Sequence, residues 1–448
     1  MLIVLLLNVY RAATQSITTD EAFTYNQFVS KPFGGLLEPY DANNHVLNSL
    51  LGSLSTGLFG LSEFTLRLPS VAAGALYLFA SYRLCLLLFG SGAWAFLTTA
   101  LLVTNPFLLD HLSAARGYGM ALSFLLLATY HLVRALPDQP PSYLYSAGIL
   151  CGLAIAANLT SIFPAGALIV AFASSSYENF RLKGFWDSFI VPAVLVSFVF
   201  IIVPSSKAPR SAFYFGAKNL RQTAGSLADL SFSYRAAGLA RLHDAVWPAC
   251  LVLMLACAIL LGWHLWVRRL PIPSFFAAAL LAAVGLVALA HRAASLPYPL
   301  TRTALYFIPL SILAATCLLH CFRSFRLVRY GSAALGMLCL SAFARQAETS
   351  SYAEWRFDAG TKRIAQFIRT RNPQKPLVLR ASWVLEPSLN FYRKLYSLNW
   401  AAVDRSPVDQ PGDLWVLTPD DRDWIGKLKL EIVYRDPVSD TVIAQLLN

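Results

Sequence analysis

Two adjacent carboxylates, Asp20 and Glu21, open the stretch 18–45, TTDEAFTYNQFVSKPFGGLLEPYDANNH, directly after the first apolar segment of the chain. A carboxylate beside apolar surroundings loses hydration that a partner, a cavity or a substrate must replace, so the pair reads as functional. The competing reading is local: Thr18, Thr19 and Asp20 cap the short helix AFTYNQFV, and Glu21 complements its dipole. Further along, DHLSAARGYG (110–119) sets Arg116 and Tyr118 at the start of an apolar run. LPYPLTRTALYFIP (296–309) sets Arg302 in the first turn of a helix, with Tyr306 one turn on along the same face. Free N–H groups and the dipole at a helix start both favour an anion, so an arginine there marks a phosphate site. Otherwise each arginine is an anchor whose charged head snorkels to water. Asn43, Asn44 and His45 either hydrogen-bond a sugar or phosphate, or cap the helix that begins at Val46. Asp110 and His111 either join Asp20 and Glu21 around a cation or end a loop.

The elements that must position these groups are mostly apolar. Of 448 residues 56% are hydrophobic and 13% charged, against about 25% charged in soluble domains. This is the composition of a polytopic α-helical membrane protein. The net charge of +12 lies mainly in short loops between apolar runs, which is the positive-inside pattern and gives no case for nucleic acid. All seven cysteines sit in apolar segments with no CxxC spacing, so neither a disulfide framework nor a zinc site is expected. Residues 2–10 are too short to span, since a spanning helix needs roughly 20 residues; either the start of the sequence is late or helix one is truncated, and the lack of a charged n-region speaks against a cleaved signal peptide.

Residues 46–60, short and rich in Ser and Asn, read as an interfacial helix. Spans are expected at 67–89, 93–109, 118–134, 143–157, 161–175, 186–204, 246–267, 272–291, 301–321 and 329–345, about eleven with the first. Gly148 and Gly152 are spaced for close helix contact, with 143–157 and 161–175 expected to pack as a tight pair. With 46–60 not crossing, Arg83, Arg134, Arg181, Lys183, Arg268, Arg269, Arg323, Arg326 and Arg329 all fall inside. The stretches 18–45, 110–117, 205–244 and 292–301, and the tail from 346, then face out. The tail alternates helical patterns (358–371, 387–395, 421–428) with short strands (377–381, 414–417, 431–434), which suggests a small soluble α/β domain. The expected division is therefore a transmembrane domain, 1–345, holding the outer loop 11–45, and an extracytoplasmic domain, 346–448.

Together these pieces resemble the GT-C glycosyltransferase superfamily, in the branch of protein O-mannosyltransferases and lipid A aminoarabinose transferases. The resemblance rests on TTDEAFTY, DANNHVLNSLL, FTLRLPSVAAG, TNPFLLDHLSAARGYGMAL and PLTRTALYFIP, in that order from Thr18 to Pro309. Val46-Leu47 stands where many members have prolines after the loop histidine, a departure that bears on the donor contact of His45.

The resemblance implies an inverting glycosyltransferase that moves a hexosyl or pentosyl group from a polyprenyl-phosphate donor to a hydroxyl on the outer face of a membrane, in a bacterial cell envelope the periplasmic or extracellular face of the inner membrane. The acceptor, whether protein, glycolipid or glycan, stays open. On this reading Asp20 is the base that activates the hydroxyl, and Glu21 orients the acceptor or a metal. Arg116 and Arg302 clamp the leaving phosphate, and Asn44, His45, Tyr118 and Tyr306 line the substrate. A divalent cation is compatible with the pair, and no other cofactor is implied. The alternative, a transporter or flippase of lipid-linked sugars, should show repeated halves and ionisable groups near mid-membrane. A noncatalytic scaffold gives no reason for Asp20, Arg116 and Arg302 to share a side.

Overall fold

The computed structural model describes residues 1–447 apart from 32, 139, 177–181, 207–214, 234–239, 268 and 372–375. Arg181, Arg268 and part of the stretch 205–244 therefore lie outside the described residues. The chain forms two compact units: Met1–Asn8, Pro39–Asn48 and Ser70–Ala347 make one, and Val9–Glu38, Ser49–Pro69 and Glu348–Asn448 the other. The second unit thus takes in the segment carrying Asp20 and Glu21 as well as the tail.

The first unit is helical. Among the described residues six helices are long and apolar enough to cross a membrane, namely Glu63–Phe89, Lys183–Pro204, His243–Val267, Pro271–Ala294, Thr301–Cys321 and Arg326–Gln346. Several others are shorter. Val46–Phe59 has 14 residues, about 21 Å of helix. The run expected as one span at 93–109 is two helices, Ala93–Thr104 and Pro106–His111, because Asn105 leaves helical geometry and its side chain accepts from Leu108 N at 3.1 Å. Proline at the next position, with no N–H to lose, suits a new helix start. Gly148 and Gly152 do mark a close contact, with a different partner from the one expected. Cβ atoms there would stand 2.3 Å from Phe189 O and 2.7 Å from Ala193 O, so Pro141–Ala157 packs on the helical segment 186–206. The helix Ile162–Ser175 packs instead on Pro271–Ala294.

The second unit contains a four-stranded sheet, ordered β1-β2-β4-β3, from β1 (Leu379–Ala381), β2 (Leu414–Leu417), β3 (Leu430–Arg435) and β4 (Val442–Leu446). β1 and β2 are parallel; β4 runs antiparallel to both β2 and β3. Trp415, Leu417, Leu430, Val442 and Ala444 form a buried core on this sheet. The helix Thr361–Thr370 buries Ile364, Ala365 and Ile368 at helical spacing. Glu386–Leu395 buries Leu389, Phe391 and Tyr392 and packs against the short helix Thr19–Thr24. Tyr25 meets Phe391 edge to face at 5.3 Å, and Asn26 donates to Pro387 O. These contacts hold the carboxylate segment to the tail.

Candidate active site

Thr18 begins the helix Thr19–Thr24 with a capping box: its Oγ1 accepts from Glu21 N at 3.2 Å, and Glu21 Oε2 accepts from Thr18 N at 2.9 Å. The capping reading is thus correct for the backbone, and it fixes what each carboxylate can do. Glu21 points inward and is fully buried with Arg67, whose Nε and Nη2 grip Oε1 and Oε2 at 2.8 and 2.7 Å. The same guanidinium donates to Ala12 O, Gln15 O and Ser16 O, the carbonyls that the end of the helix Leu2–Thr14 and the turn after it leave without helical partners. Glu21 thus ties this loop to Arg67 through a buried, two-pronged ion pair. Asp20 sits at the same helix start and is the partly exposed member of the pair.

A third carboxyl lies in this group. Asp358 is buried, accepting from Thr19 N and from Ser388 Oγ at 2.8 Å. Burial raises its pKa well above the ordinary carboxylate range, and the charges of Asp20 and Glu21 push the same way. Sequence reading missed both Arg67 and Asp358. Arg67 looked like the boundary of a span, and its only signal was an arginine one turn inside an apolar helix start; Asp358 lies in a polar tail where an aspartate carries no signal.

In the other unit, Arg116 precedes the helix Gly117–Ala135 in extended geometry and is fully buried. Its Nη2 donates to Asn43 Oδ1 at 2.9 Å. Asn43 N in turn donates to Asp41 Oδ1, and Asn44 N to Asp41 O, so residues 41–45 are a turn built on Asp41. The ARGYG spelling has a steric cause. A Cβ on Gly117 would sit 1.9 Å from Ala157 O and 2.8 Å from the His45 Cβ, and one on Gly119 would sit 2.1 Å from His111 O. Tyr118 is buried between two imidazoles, with ring centroids 4.7 Å from His45 and 5.2 Å from His111.

His45 is buried, and its pKa is lowered well below the ordinary value by desolvation, then by the charges of Arg116, Arg302 and His111; a hydrogen bond to the Ala157 carbonyl opposes this. Nε2 is buried with no hydrogen-bond partner among the described residues. The ring is thus neutral, Nδ1–H faces Ala157 O, and Nε2 is left as an acceptor. Tyr40 closes the group, its phenol pKa raised by burial. Asn44, read as a sugar or phosphate contact, is buried in the same turn.

Arg302 departs from expectation in its setting. It lies in the 3-10 turn Thr301–Ala304, ahead of the helix Phe307–Cys321 rather than within its first turn. Thr301 has φ 47°, a left-handed conformation that a β-branched residue rarely adopts. Arg302 Cζ stands 5.2 Å over the Phe215 ring. Tyr306 is buried against Phe307, with no partner for its hydroxyl among the described residues.

The helix Leu220–Ala228 braces this turn: Thr223 Oγ1 donates to Pro299 O at 2.7 Å, and Thr301 N to Ser226 Oγ at 3.1 Å. Thr223 also lines an apolar cavity of about 420 Å³, walled by Leu97, Leu227, Leu253, Phe307 and Phe343 among others. Its polar lining includes Asn105 and Ser231, which bond to each other at 3.0 Å.

The structure thus brings Arg116, Asn44, His45 and Tyr118 together, relates Arg302 to His45 by charge, and keeps Asp20 and Glu21 in the other unit. Asp110 and His111 end the helix Pro106–His111. No group of three His, Cys, Asp or Glu among the described residues is arranged to hold a metal ion.

Residues 46–204 match the family model described as dolichyl-phosphate-mannose-protein mannosyltransferase. No curated protein matches the chain in sequence. Among solved structures, ArnT from Cupriavidus metallidurans bound to undecaprenyl phosphate is 15% identical, aligned over 99% of this chain and 96% of its own, with a TM-score of 0.53. Arabinosyltransferase EmbB from Mycobacterium smegmatis is 15% identical over 88% of this chain and 42% of its own, at 0.38. Archaeoglobus fulgidus oligosaccharyltransferase is 14% identical over 99% and 73%, at 0.42. At such identity the likeness to ArnT concerns the fold.

Proposed function

We propose that this chain is a GT-C glycosyltransferase of the membrane, and that it moves a sugar from a polyprenyl-phosphate donor to a hydroxyl on the outer face, with inversion. The observation that carries this reading is the Arg116, Arg302 and His45 group, where two guanidinium charges act on one buried neutral imidazole. A phosphate offers the paired oxygens that a guanidinium fork grips. The apolar cavity supports a donor with an isoprenoid chain, since a tail leaving the bilayer needs apolar walls.

In this mechanism Asp20 takes the proton from the acceptor hydroxyl. The oxygen attacks the anomeric carbon from the face opposite the phosphate, and the bond from that carbon to the phosphate oxygen breaks. The electron pair leaves on the phosphate, where Arg116 and Arg302 stabilise the added charge. His45 Nε2, an acceptor, suits a sugar hydroxyl better than a phosphate oxygen, which has no proton to give. Glu21 acts through Arg67 and the capping box, setting the position of Asp20.

Cells lacking the protein test the reading. A polyprenyl-phosphate sugar should accumulate while the same sugar disappears from outer glycans. Asp20→Asn, present in the membrane at the parent level, should fail to restore transfer, since general-base catalysis contributes about 10²- to 10⁴-fold. If no lipid-linked sugar accumulates the donor class is wrong, and full restoration by Asp20→Asn removes Asp20 as the base.

A further inference from the structure

Away from the groups above, Arg83 of the helix Glu63–Phe89 meets the end of the helix Gly117–Ala135, which itself meets the start of Pro141–Ala157. Arg83 Nη2 donates to Tyr130 Oη at 3.4 Å, and Arg134 Nη1 donates to the same oxygen at 3.3 Å. Arg134 Nη2 donates to Tyr143 Oη at 2.7 Å. Each guanidinium also stands over an aromatic ring, Arg83 above Phe79 and Arg134 above Tyr143. No carboxylate among the described residues pairs with either arginine.

The hydrogen-bond arithmetic of this cluster is one-sided. A phenol oxygen that accepts from guanidinium N–H groups keeps its own O–H to donate. Tyr130 and Tyr143 are both in that state, and the two arginines have further N–H groups and can accept nothing. Everything the cluster still offers is a donor, around two like charges that share one oxygen. Such a set is completed by an anion with several acceptor oxygens.

We propose that Arg83, Arg134, Tyr130 and Tyr143 form a site for the phosphate headgroup of an anionic phospholipid. The shared chemistry is a phosphate, and the surroundings select the lipid over the free ion. Both arginines are exposed, at the ends of apolar helices, and Phe79, Tyr82 and Tyr145 beside them are exposed at 53%, 47% and 45%. Exposed aromatic rings next to basic side chains belong at the headgroup level of a bilayer, where the acyl chains of a bound lipid can follow the helix surface.

The test uses the full chain purified in neutral detergent, with native mass spectrometry and thermal melting as readouts. Cardiolipin or phosphatidylglycerol should be retained and raise the melting temperature, while phosphatidylcholine should not. Millimolar inorganic phosphate should not displace the lipid. Arg83→Gln with Arg134→Gln should weaken the anionic lipid about 30-fold. Tyr130→Phe with Tyr143→Phe keeps both charges, so weaker binding there reports the built site rather than bulk charge, and it decides the matter if the glutamine pair does not survive purification. Equal retention of phosphatidylcholine, or parent-like binding by both double variants, overturns the proposal. Displacement by inorganic phosphate overturns the lipid and leaves a free-ion site.

Discussion

Arg116 and an ordinary snorkelling arginine differ in what lysine can replace. A snorkelling side chain uses its stem and a generic charge at the interface, whereas Arg116 is buried and already spends one arm on Asn43 Oδ1. Arg116→Lys should therefore cut turnover and polyprenyl-phosphate affinity while the protein stays in the membrane. Arg116→Ala should cost about 10²- to 10³-fold in turnover. The same comparison at Arg302 asks whether both arms of the clamp exist; parent-like kinetics and binding in both lysine variants would remove it. His45 adds a pH dependence. Its folded pKa is depressed, so below about 6.5 the unfolded chain takes up a proton that the folded protein excludes. Its contribution to stability is thus present at pH 7 to 8 and is lost as pH falls through 6.5. Melting temperatures across that range should show the slope in the parent and a shallower one in His45→Gln.

Asp20 and Glu21 are neighbours in sequence with different settings, and their helix explains why. The capping box turns Glu21 inward onto Arg67, and leaves Asp20 on the partly exposed side. Breaking a buried, hydrogen-bonded ion pair by removing one partner costs about 3–5 kcal/mol. Glu21→Ala and Arg67→Ala should therefore act through folding, lowering the melting temperature and the amount in the membrane, whereas Asp20→Asn should act on turnover at normal abundance. A double-mutant cycle should give a coupling well above about 1 kcal/mol, since the two residues touch directly; independent effects would mean that the fork does not hold the loop. From sequence, the carboxylate pair, the ARGY arginine and the turn before Val46 were legible, because rare polar residues stand out in apolar runs. Arg67 was not, since an arginine at a helix start looks the same whether it snorkels or pairs. The broken run at Asn105 was hidden by the apolar residues on both sides. β4 escaped because Val442–Leu446 is short and follows a polar turn, and Gly148 and Gly152 marked a close contact whose partner is the segment around Phe189 and Ala193 rather than the expected 161–175.

The distribution of charge over the whole chain makes the orientation testable. The helix Arg326–Gln346 is long and apolar enough to cross, and Arg323, Arg326 and Arg329 cluster at its start. Basic residues near span ends favour the cytoplasmic side, so the end of this helix and the sheet-bearing segment after it are expected on the opposite side. Arg134, closing the helix Gly117–Ala135, and Lys183, opening the span Lys183–Pro204, carry the same bias. Paired reporters, one active only outside and one only inside, therefore have defined outcomes. Fusions after Gln346 should be active outside, and fusions after Arg134 or near Lys183 inside. The tail is the decisive position, because Asp358 shares its unit with Asp20 and the proposed acceptor chemistry requires that unit to face out. An inside signal there would place Asp20 in the cytoplasm, where an outer-face acceptor could not reach it.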